Sequence, residues 1–458
     1  VLAPGPGEDH ETDRSLSGAQ SLLLAGHVAG ATWHYDTVTI PSSAVAGVPE
    51  VQYNVAVAGN SAANNTFLML HGFPETATTW MWDVLPEFER QFGKDNFQLI
   101  APDLHGINYT DPKSEDIQFY KLSNMVDELK TLVQQHYKLD KVWLVGHDFG
   151  ANLGWYVYYL APDMLNGYVA LAVGPLKYVG AVEGTGADPV WTAAGDYRDA
   201  WLKNADFWAF AWLKNLTVTP LGVEGHIPER DAAWQHQESL KYQTRWYAAG
   251  AAPTKALLKA IEDSANRTMP PSGFIAGSRD PILPIKQRVC CDVSWFGDTY
   301  FQFADTTHWI QHEDPQAVVT FIKNLMNGGE MLQKLPDFCA AQPKNMTEHC
   351  QANLAVSPLP NHETIYQMCE KKCPDATRAV QDCLINNITA SCVLDYCEKE
   401  GEYNMCINQH AECKYLQGTP LREYAHENLC ALSKDDLKAV EAAASHHINP
   451  SSPTSQVP

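Results

Sequence analysis

Apolar positions change their period several times along this chain, and each change marks an element. Trp33–Ile40 and Val51–Ala58 alternate apolar with polar residues, which predicts two paired strands. Thr66–Leu70, Gln98–Ala101, Lys141–Val145, Tyr168–Val173, Gly273–Ala276 and Thr299–Phe303 are short apolar runs and predict buried strands. Between them, Trp80–Phe92, Leu122–His136, Gly150–Leu160 and Pro315–Met326 have helical spacing. In the second of these, Met125, Leu129, Leu132 and Val133 share one face. Helices alternating with short buried strands predict the α/β class, a mostly parallel sheet flanked by helices.

Two stretches break this rhythm. From Gly174 to Thr268, Trp191, Trp201, Trp208, Trp212, Trp234 and Trp246 sit among charged helical segments. That texture predicts a helical cap inserted over the C-terminal ends of the strands. From about Pro336 the chain becomes rich in cysteine, predicting a small, mainly helical, disulfide-stabilised module. The expected organisation is an N-terminal arm over 1–30, flexible in its first 18 residues, and a core over 31–173 and 269–335. The cap spans 174–268, the module 336–435 and a tail 436–458, with Asn449–Pro458 expected to be disordered.

Composition narrows the function. A 45% hydrophobic and 10% aromatic content suits a buried globular core. The net charge of −22 repels phosphate backbones and anionic lipid, so nucleic-acid partners are not expected. No apolar run reaches the roughly 18 residues that span a bilayer; Ser21–Ala31 is short and His27 interrupts it. The chain opens at Val1, and removal of an upstream segment is expected. Ten cysteines, Cys339, Cys350, Cys369, Cys373, Cys383, Cys392, Cys397, Cys406, Cys413 and Cys430, fit five bridges. No Cys-x-x-Cys pair supports metal binding instead. Adjacent Cys290 and Cys291 are open to three states: a vicinal bridge, separate partners, or thiols. Bridges persist in oxidising compartments, so a secreted or secretory-lumen protein is expected. Sequons at Asn64, Asn108, Asn215, Asn266, Asn345 and Asn387 agree with that route as possible glycosylation sites.

Candidate chemistry centres on Gly146-His147-Asp148-Phe149-Gly150, placed where a strand gives way to a helix. Small residues on either side permit a tight turn that stands Asp148 above the sheet. The helix N-terminus adds N–H groups and a positive dipole end. A carboxylate nucleophile displaces a leaving group at saturated carbon and leaves an alkyl ester on the protein. Water must then attack that ester, and the oxyanion formed needs donors. The backbone amides of Phe149 and Phe73 are the candidates. His308 follows the last predicted strand and Asp280 the one before it. The order nucleophile, acid, histidine places the base and its orienting carboxylate at the same sheet edge. This chemistry requires no cofactor and no metal.

With these residues in view, His71-Gly72-Phe73-Pro74-Glu75, Gly146–Gly150, Asp280 and His308-Trp309 resemble the epoxide hydrolase and haloalkane dehalogenase branch of the α/β-hydrolases, over roughly 30–330. The resemblance implies the α/β-hydrolase fold, a cis Phe73–Pro74 peptide, and a small apolar epoxide as substrate. It implies ring opening by Asp148, ester hydrolysis by His308 with Asp280, and protonation of the leaving oxygen by lid tyrosines. Tyr247 matches one of these. Where the family has the second, the chain reads Ala205-Asp206-Phe207-Trp208-Ala209-Phe210, with Tyr197 the nearest alternative. Trp208, Trp309 and Tyr197 are therefore the expected substrate-pocket residues. Haloalkane dehalogenases place a halide-binding tryptophan where Phe149 stands. The family's Asp-x-Arg-Gly stretch is Asp103-Leu104-His105-Gly106, without the arginine that carboxylated substrates would favour.

Cys392-Val393-Leu394-Asp395-Tyr396-Cys397, followed by Gly401, Cys406, Cys413 and Cys430, looks like the cysteine-rich module beside von Willebrand factor D domains. That likeness, over about 40 residues, implies a protein partner or self-association through the module. Two alternatives to epoxide hydrolysis remain from the residues: a non-catalytic hydrolase fold serving as an extracellular structural or adhesive protein, and a haloalkane dehalogenase.

Overall fold

The computed structural model describes residues 26–28, 31–42, 48, 50–111, 113–174, 196–214, 232–249, 255–280, 282–283, 289–290, 298–341, 369–410, 413, 421–422 and 425–447. Ten strands form one sheet: β1 Gly26–Val28, β2 Ala31–Pro41, β3 Glu50–Gly59, β4 Thr66–Leu70, β5 Gln98–Pro102, β6 Val142–His147, β7 Leu165–Leu171, β8 Ser272–Gly277, β9 Tyr300–Ala304 and β10 Gln333–Lys334. Their order is β1-β2-β3-β5-β4-β6-β7-β8-β9-β10. Neighbours from β5 to β9 are parallel, while β1, β2, β3 and β10 add antiparallel edges. β1 lies at the end of the N-terminal arm and pairs with β2. The rest of that arm lies outside the described residues.

Core helices are α1 Leu85–Phe92, α2 Leu122–Thr131 and α3 Phe149–Leu160. The cap contributes α4 Asp196–Lys203, α5 Ala205–Lys214, α6 Ser239–Gln243, α7 Arg245–Ala249 and α8 Lys255–Ser264. The core closes with α9 Ile310–Glu313 and α10 Pro315–Met326. The parallel strands are buried on both faces, and the pleat sorts their side chains. In β4, Phe67 and Met69 enter the layer under α1 and α10, whereas Leu68 and Leu70 enter the layer under α2 and α3. Each such fully buried side chain contributes about 1.5–3 kcal/mol. The strand C-termini open towards the cap, which places the residues after β4, β6, β8 and β9 at one edge.

The cysteine-rich part is helical: α11 Leu335–Ala340, α12 Pro374–Arg378, α13 Ala390–Gln409 and α14 Lys434–His447. Its bridges correct the expectation of five links within the module. Cys339 pairs with Cys290 of the core, so Cys290 joins a distant partner rather than Cys291. Cys369–Cys413, Cys373–Cys406, Cys383–Cys392 and Cys397–Cys430 close the module itself. Cys291 and Cys350 lie outside the described residues. The boundary expected at residue 435 also shifts. α14 runs through it to His447, buries Leu437 and Val440, and packs on α5 of the cap. Only 448–458 of the expected tail lies outside the described residues. The module meets α4 as well, where Lys203 Nζ donates to Asn386 Oδ1 at 2.9 Å and Asn204 Nδ2 to the Ile385 carbonyl at 2.8 Å.

Of the sequons, Asn64, Asn266 and Asn387 are exposed, and Asn215 and Asn345 lie outside the described residues. Asn108 is a correction. It is buried, and its Nδ2 donates to Asp103 Oδ2 at 2.8 Å, so its amide is not presented to solvent.

The Cys290–Cys339 bridge joins positions separated by 49 residues. Closing a loop of that size stabilises by roughly 2–4 kcal/mol. The Cys290→Ser/Cys339→Ser double variant is expected to unfold several degrees earlier in a thermal scan. An unchanged midpoint contradicts a stapling role.

Candidate active site

Asp148 occupies the corner between β6 and α3 with φ 50° and ψ −116°, a conformation that costs about 1–3 kcal/mol outside glycine. The strain therefore sits on the acid itself. The flanking glycines serve close approach: a Cβ on Gly150 would lie 2.2 Å from the Leu70 carbonyl, and one on Gly146 2.5 Å from the Gly150 carbonyl. Asp148 makes no side-chain capping bond to α3. Its Oδ1 instead accepts the Phe73 N–H at 2.9 Å, and Oδ2 lies 3.3 Å from His308 Nε2. His308 Nδ1–H donates to Asp280 Oδ2 at 2.8 Å. Asp280 is held by the Ile282 and Leu283 N–H groups, both at 2.8 Å on Oδ1. The His308 and Asp280 side chains are 1% exposed, whereas Asp148 keeps 14%, so the acid is the member that a ligand reaches.

The electrostatics follow from these contacts. Burial alone would lower the pKa of His308, but the Asp280 and Asp148 carboxylates outweigh it and push it up to about 10. Burial raises the Asp148 carboxyl, and the hydrogen bond and charge of His308 more than offset this, holding it below the ordinary carboxylate range. In the resting site a cation sits between two carboxylates.

Beneath the trio lies a second polar layer. His147 Nε2 is 3.0 Å from the His308 carbonyl, and its Nδ1 is 3.1 Å from Gln311 Nε2. Gln311 Nε2 also donates to Glu75 Oε2 at 2.8 Å, which accepts the Thr79 hydroxyl at 2.9 Å. His312 bridges Glu75 and Asp83. Burial opposes both charges of that bridge; the carboxylates nevertheless raise His312 to about 10, and His312 with His147 holds Glu75 well below its usual range.

The loop carrying Phe73 is fixed from three sides. Its Phe73–Pro74 peptide is cis. His71 Nδ1–H donates to the Gly72 carbonyl at 3.0 Å while its Nε2 accepts the Leu104 N–H at 2.9 Å, and burial lowers its pKa, so the ring is neutral. From the cap, Trp234 Nε1 donates to the Pro74 carbonyl at 2.6 Å and Gln243 Nε2 to the Glu75 carbonyl at 3.0 Å. Trp246 Nε1 donates to the His105 carbonyl at 2.8 Å and stacks on Phe149 with centroids 4.3 Å apart.

The structure thus brings Phe73, Asp148, Asp280 and His308 together. Phe149 opens α3, where the first N–H groups lack intrahelical acceptors. Tyr247 lies beside this set, its ring 5.3 Å from that of Phe73. Trp309 packs edge-on behind His308 at 5.3 Å. Trp208 is buried in α5 next to Phe207. The place against Phe73 belongs to Trp201 of α4, at 4.7 Å, which also meets Tyr247 at 5.4 Å. Trp201 was not expected there. It lies one helical turn after Tyr197, whose side chain falls outside the described residues, and that i,i+4 spacing was the available signal. His105, where the family has arginine, turns into the core against Tyr53 at 2.8 Å and Glu128 at 2.6 Å. A pocket of about 130 Å³ within the cap, between Phe210, Trp234 and Lys241, is not lined by the trio.

Residues 65–315 match the family of the alpha/beta hydrolase fold. The AB hydrolase superfamily protein YfhM of Bacillus subtilis (strain 168) is 25% identical over 298 residues, covering 60% of this chain and 95% of that protein. Epoxide hydrolase 2 of Siraitia grosvenorii is 36% identical over 127 residues, 28% of this chain, which spans only 37% of that enzyme. Epoxide hydrolase 2 of Caenorhabditis elegans is 24% identical over 283 residues, covering 58% of this chain and 75% of that enzyme.

His308 binds its proton more tightly in the folded than in the unfolded chain. Its charge therefore contributes stability that is complete below the ordinary histidine value of about 6.5 and is lost as pH rises through about 10. Between pH 7 and 10 the denaturation midpoint of the wild type is expected to fall more steeply than that of His308→Gln. Equal slopes contradict the shared cation.

Proposed function

Because the chain belongs to the alpha/beta hydrolase fold family, we propose that it is an epoxide hydrolase acting through a covalent ester on Asp148. The observation that carries this reading is the carboxylate at the strand-to-helix corner, with His308 3.3 Å from it and Asp280 2.8 Å behind the imidazole. A serine there would suit acyl transfer; a carboxylate suits displacement at saturated carbon. The relatives named as epoxide hydrolases support the substrate class.

In this reading Asp148 Oδ2 attacks an epoxide carbon and the ring C–O bond breaks. The leaving alkoxide takes the proton of a phenol, assigned to Tyr247, and the phenolate is reprotonated at the expense of the His308 cation. Forming the ester removes the negative charge on Asp148. One of the influences raising His308 is then gone, so the imidazole gives up its proton more readily and becomes the base. It takes a proton from water, which adds to the Asp148 carbonyl carbon. The Phe73 N–H, already on Oδ1, supports the developing oxyanion, with the Phe149 N–H as the second donor. Collapse releases the diol and restores both the carboxylate and the His308 cation.

Substrate preference follows from what surrounds the acid. Phe73, Phe149, Trp201 and Tyr247 present aromatic surface, and among the described residues His105, in the place of the family's arginine, turns away into the core. A neutral, apolar epoxide fits. Phe149 in place of a halide-binding tryptophan favours this over haloalkane dehalogenation. The five described bridges favour an oxidising, extracytoplasmic location, and among the described residues no helix is long and apolar enough to cross a membrane.

With a neutral aryl epoxide, Asp148→Ala is expected to lose turnover entirely. His308→Gln should stall as an ester, seen by mass spectrometry as substrate-derived mass on the Asp148 peptide. Tyr247→Phe should slow ester formation by roughly 10²-fold or more, and Tyr197→Phe tests the second phenol. No turnover across an epoxide panel, or turnover surviving Asp148→Ala, contradicts the assignment. Comparable turnover of a neutral and a carboxylated epoxide contradicts the stated preference.

A further inference from the structure

His147 is adjacent to the nucleophile in sequence and touches the base in space. Its ring ends β6, is fully buried, and lies 5.1 Å from the His308 ring. Its Nε2 lies 3.0 Å from the His308 carbonyl, and its Nδ1 lies 3.1 Å from Gln311 Nε2 and 3.5 Å from Glu75 Oε2.

The orientation of this ring follows from neighbours that can only accept. Gln311 faces Glu75 Oε2 at 2.8 Å, and a carboxylate only accepts. Gln311 must therefore turn its amide nitrogen, not its oxygen, towards Glu75. The same nitrogen lies 3.1 Å from His147 Nδ1, which is also 3.5 Å from Glu75 Oε2. The His308 carbonyl likewise only accepts, so His147 Nε2 carries a proton and donates to it at 3.0 Å. Glu75 is in turn kept anionic by His312 and Thr79.

We propose that His147 is a positioning residue for the reaction, held as an Nε2–H donor to the His308 carbonyl with its Nδ1 against Gln311 and Glu75, and that it sets the separation between nucleophile and base. The proposal rests on the reading of Asp148 and His308 given above. One rigid ring ties the residue before the nucleophile to the backbone of the base, so the two cannot drift apart independently. The titratable groups around it are Asp148, Glu75, His71, His308 and His312.

Ester formation needs Asp148 and a proton donor, whereas hydrolysis needs His308 aimed at water. The two steps should therefore respond differently. In single-turnover experiments with a neutral aryl epoxide, His147→Leu is expected to slow ester hydrolysis by roughly tenfold or more while ester formation changes far less. His147→Gln, which keeps an N–H donor, should recover part of the loss. Equal slowing of both steps, no slowing of either, or a Gln variant no better than Leu overturns the proposal. Histidine ¹⁵N NMR of the wild-type chain tests it without turnover. His147 Nε2 should carry a proton, and a ring protonated on Nδ1 alone overturns the positioning bond. A wild type that forms no ester with any epoxide would strike the parent reading and leave the NMR result to decide the His147–His308 bond.

Discussion

A carboxylate withdrawn from water remains ionised only where something replaces its hydration. At Asp148 the replacements are few: the Phe73 N–H at 2.9 Å and the His308 imidazole at 3.3 Å. Everything else at the sheet edge either keeps those two groups in place or keeps His308 charged. Asp280 supplies the compensating charge on the far side of the ring, and two backbone N–H groups fix Asp280. The strained corner at Asp148 persists because neighbours over-determine it, with two strand ends and a helix packed so closely that Gly146 and Gly150 admit no side chain.

The cap and the module extend the same logic outward. The loop that bears Phe73 is held through Trp234 and Gln243 of the cap, and its ring is covered by Trp201 and Tyr247. Behind Trp201, α4 is bonded to the module through Lys203 and Asn204. The module is stapled to the core by Cys290–Cys339. A continuous series of contacts therefore runs from the disulfide-rich segment to the residue whose N–H touches Asp148. The cysteine-rich part is packed into the enzyme fold rather than strung after it.

Much of this was legible in the sequence because it is local. Period-2 and short apolar runs marked the strands, since a strand buried on both faces leaves no polar positions to interrupt it. Gly146–Gly150 was legible because the corner demands small residues within five positions of one another. Asp280 and His308 were placed by their position after predicted strands. What escaped depends on distant pairings. Trp201 and Trp208 are chemically identical, and only the cap's packing decides which meets Phe73. Cys339 joins Cys290 rather than a module partner, a choice cysteine spacing does not encode. Asn108 satisfies a sequon but gives its amide to Asp103, a partner made adjacent by folding. Gln311 and Glu75 are 236 positions apart, and no short motif contains both.

The central claim is that an oxygen atom of Asp148 is transferred to the product. A single turnover of epoxide in H₂¹⁸O, with enzyme in excess, tests it most directly. The account predicts a diol free of solvent label after the first turnover, with ¹⁸O in the Asp148 carboxylate found by peptide mass spectrometry. Solvent ¹⁸O in the first-turnover diol, with an unlabelled Asp148, would mean that water attacks the epoxide directly and would contradict the covalent role of this acid.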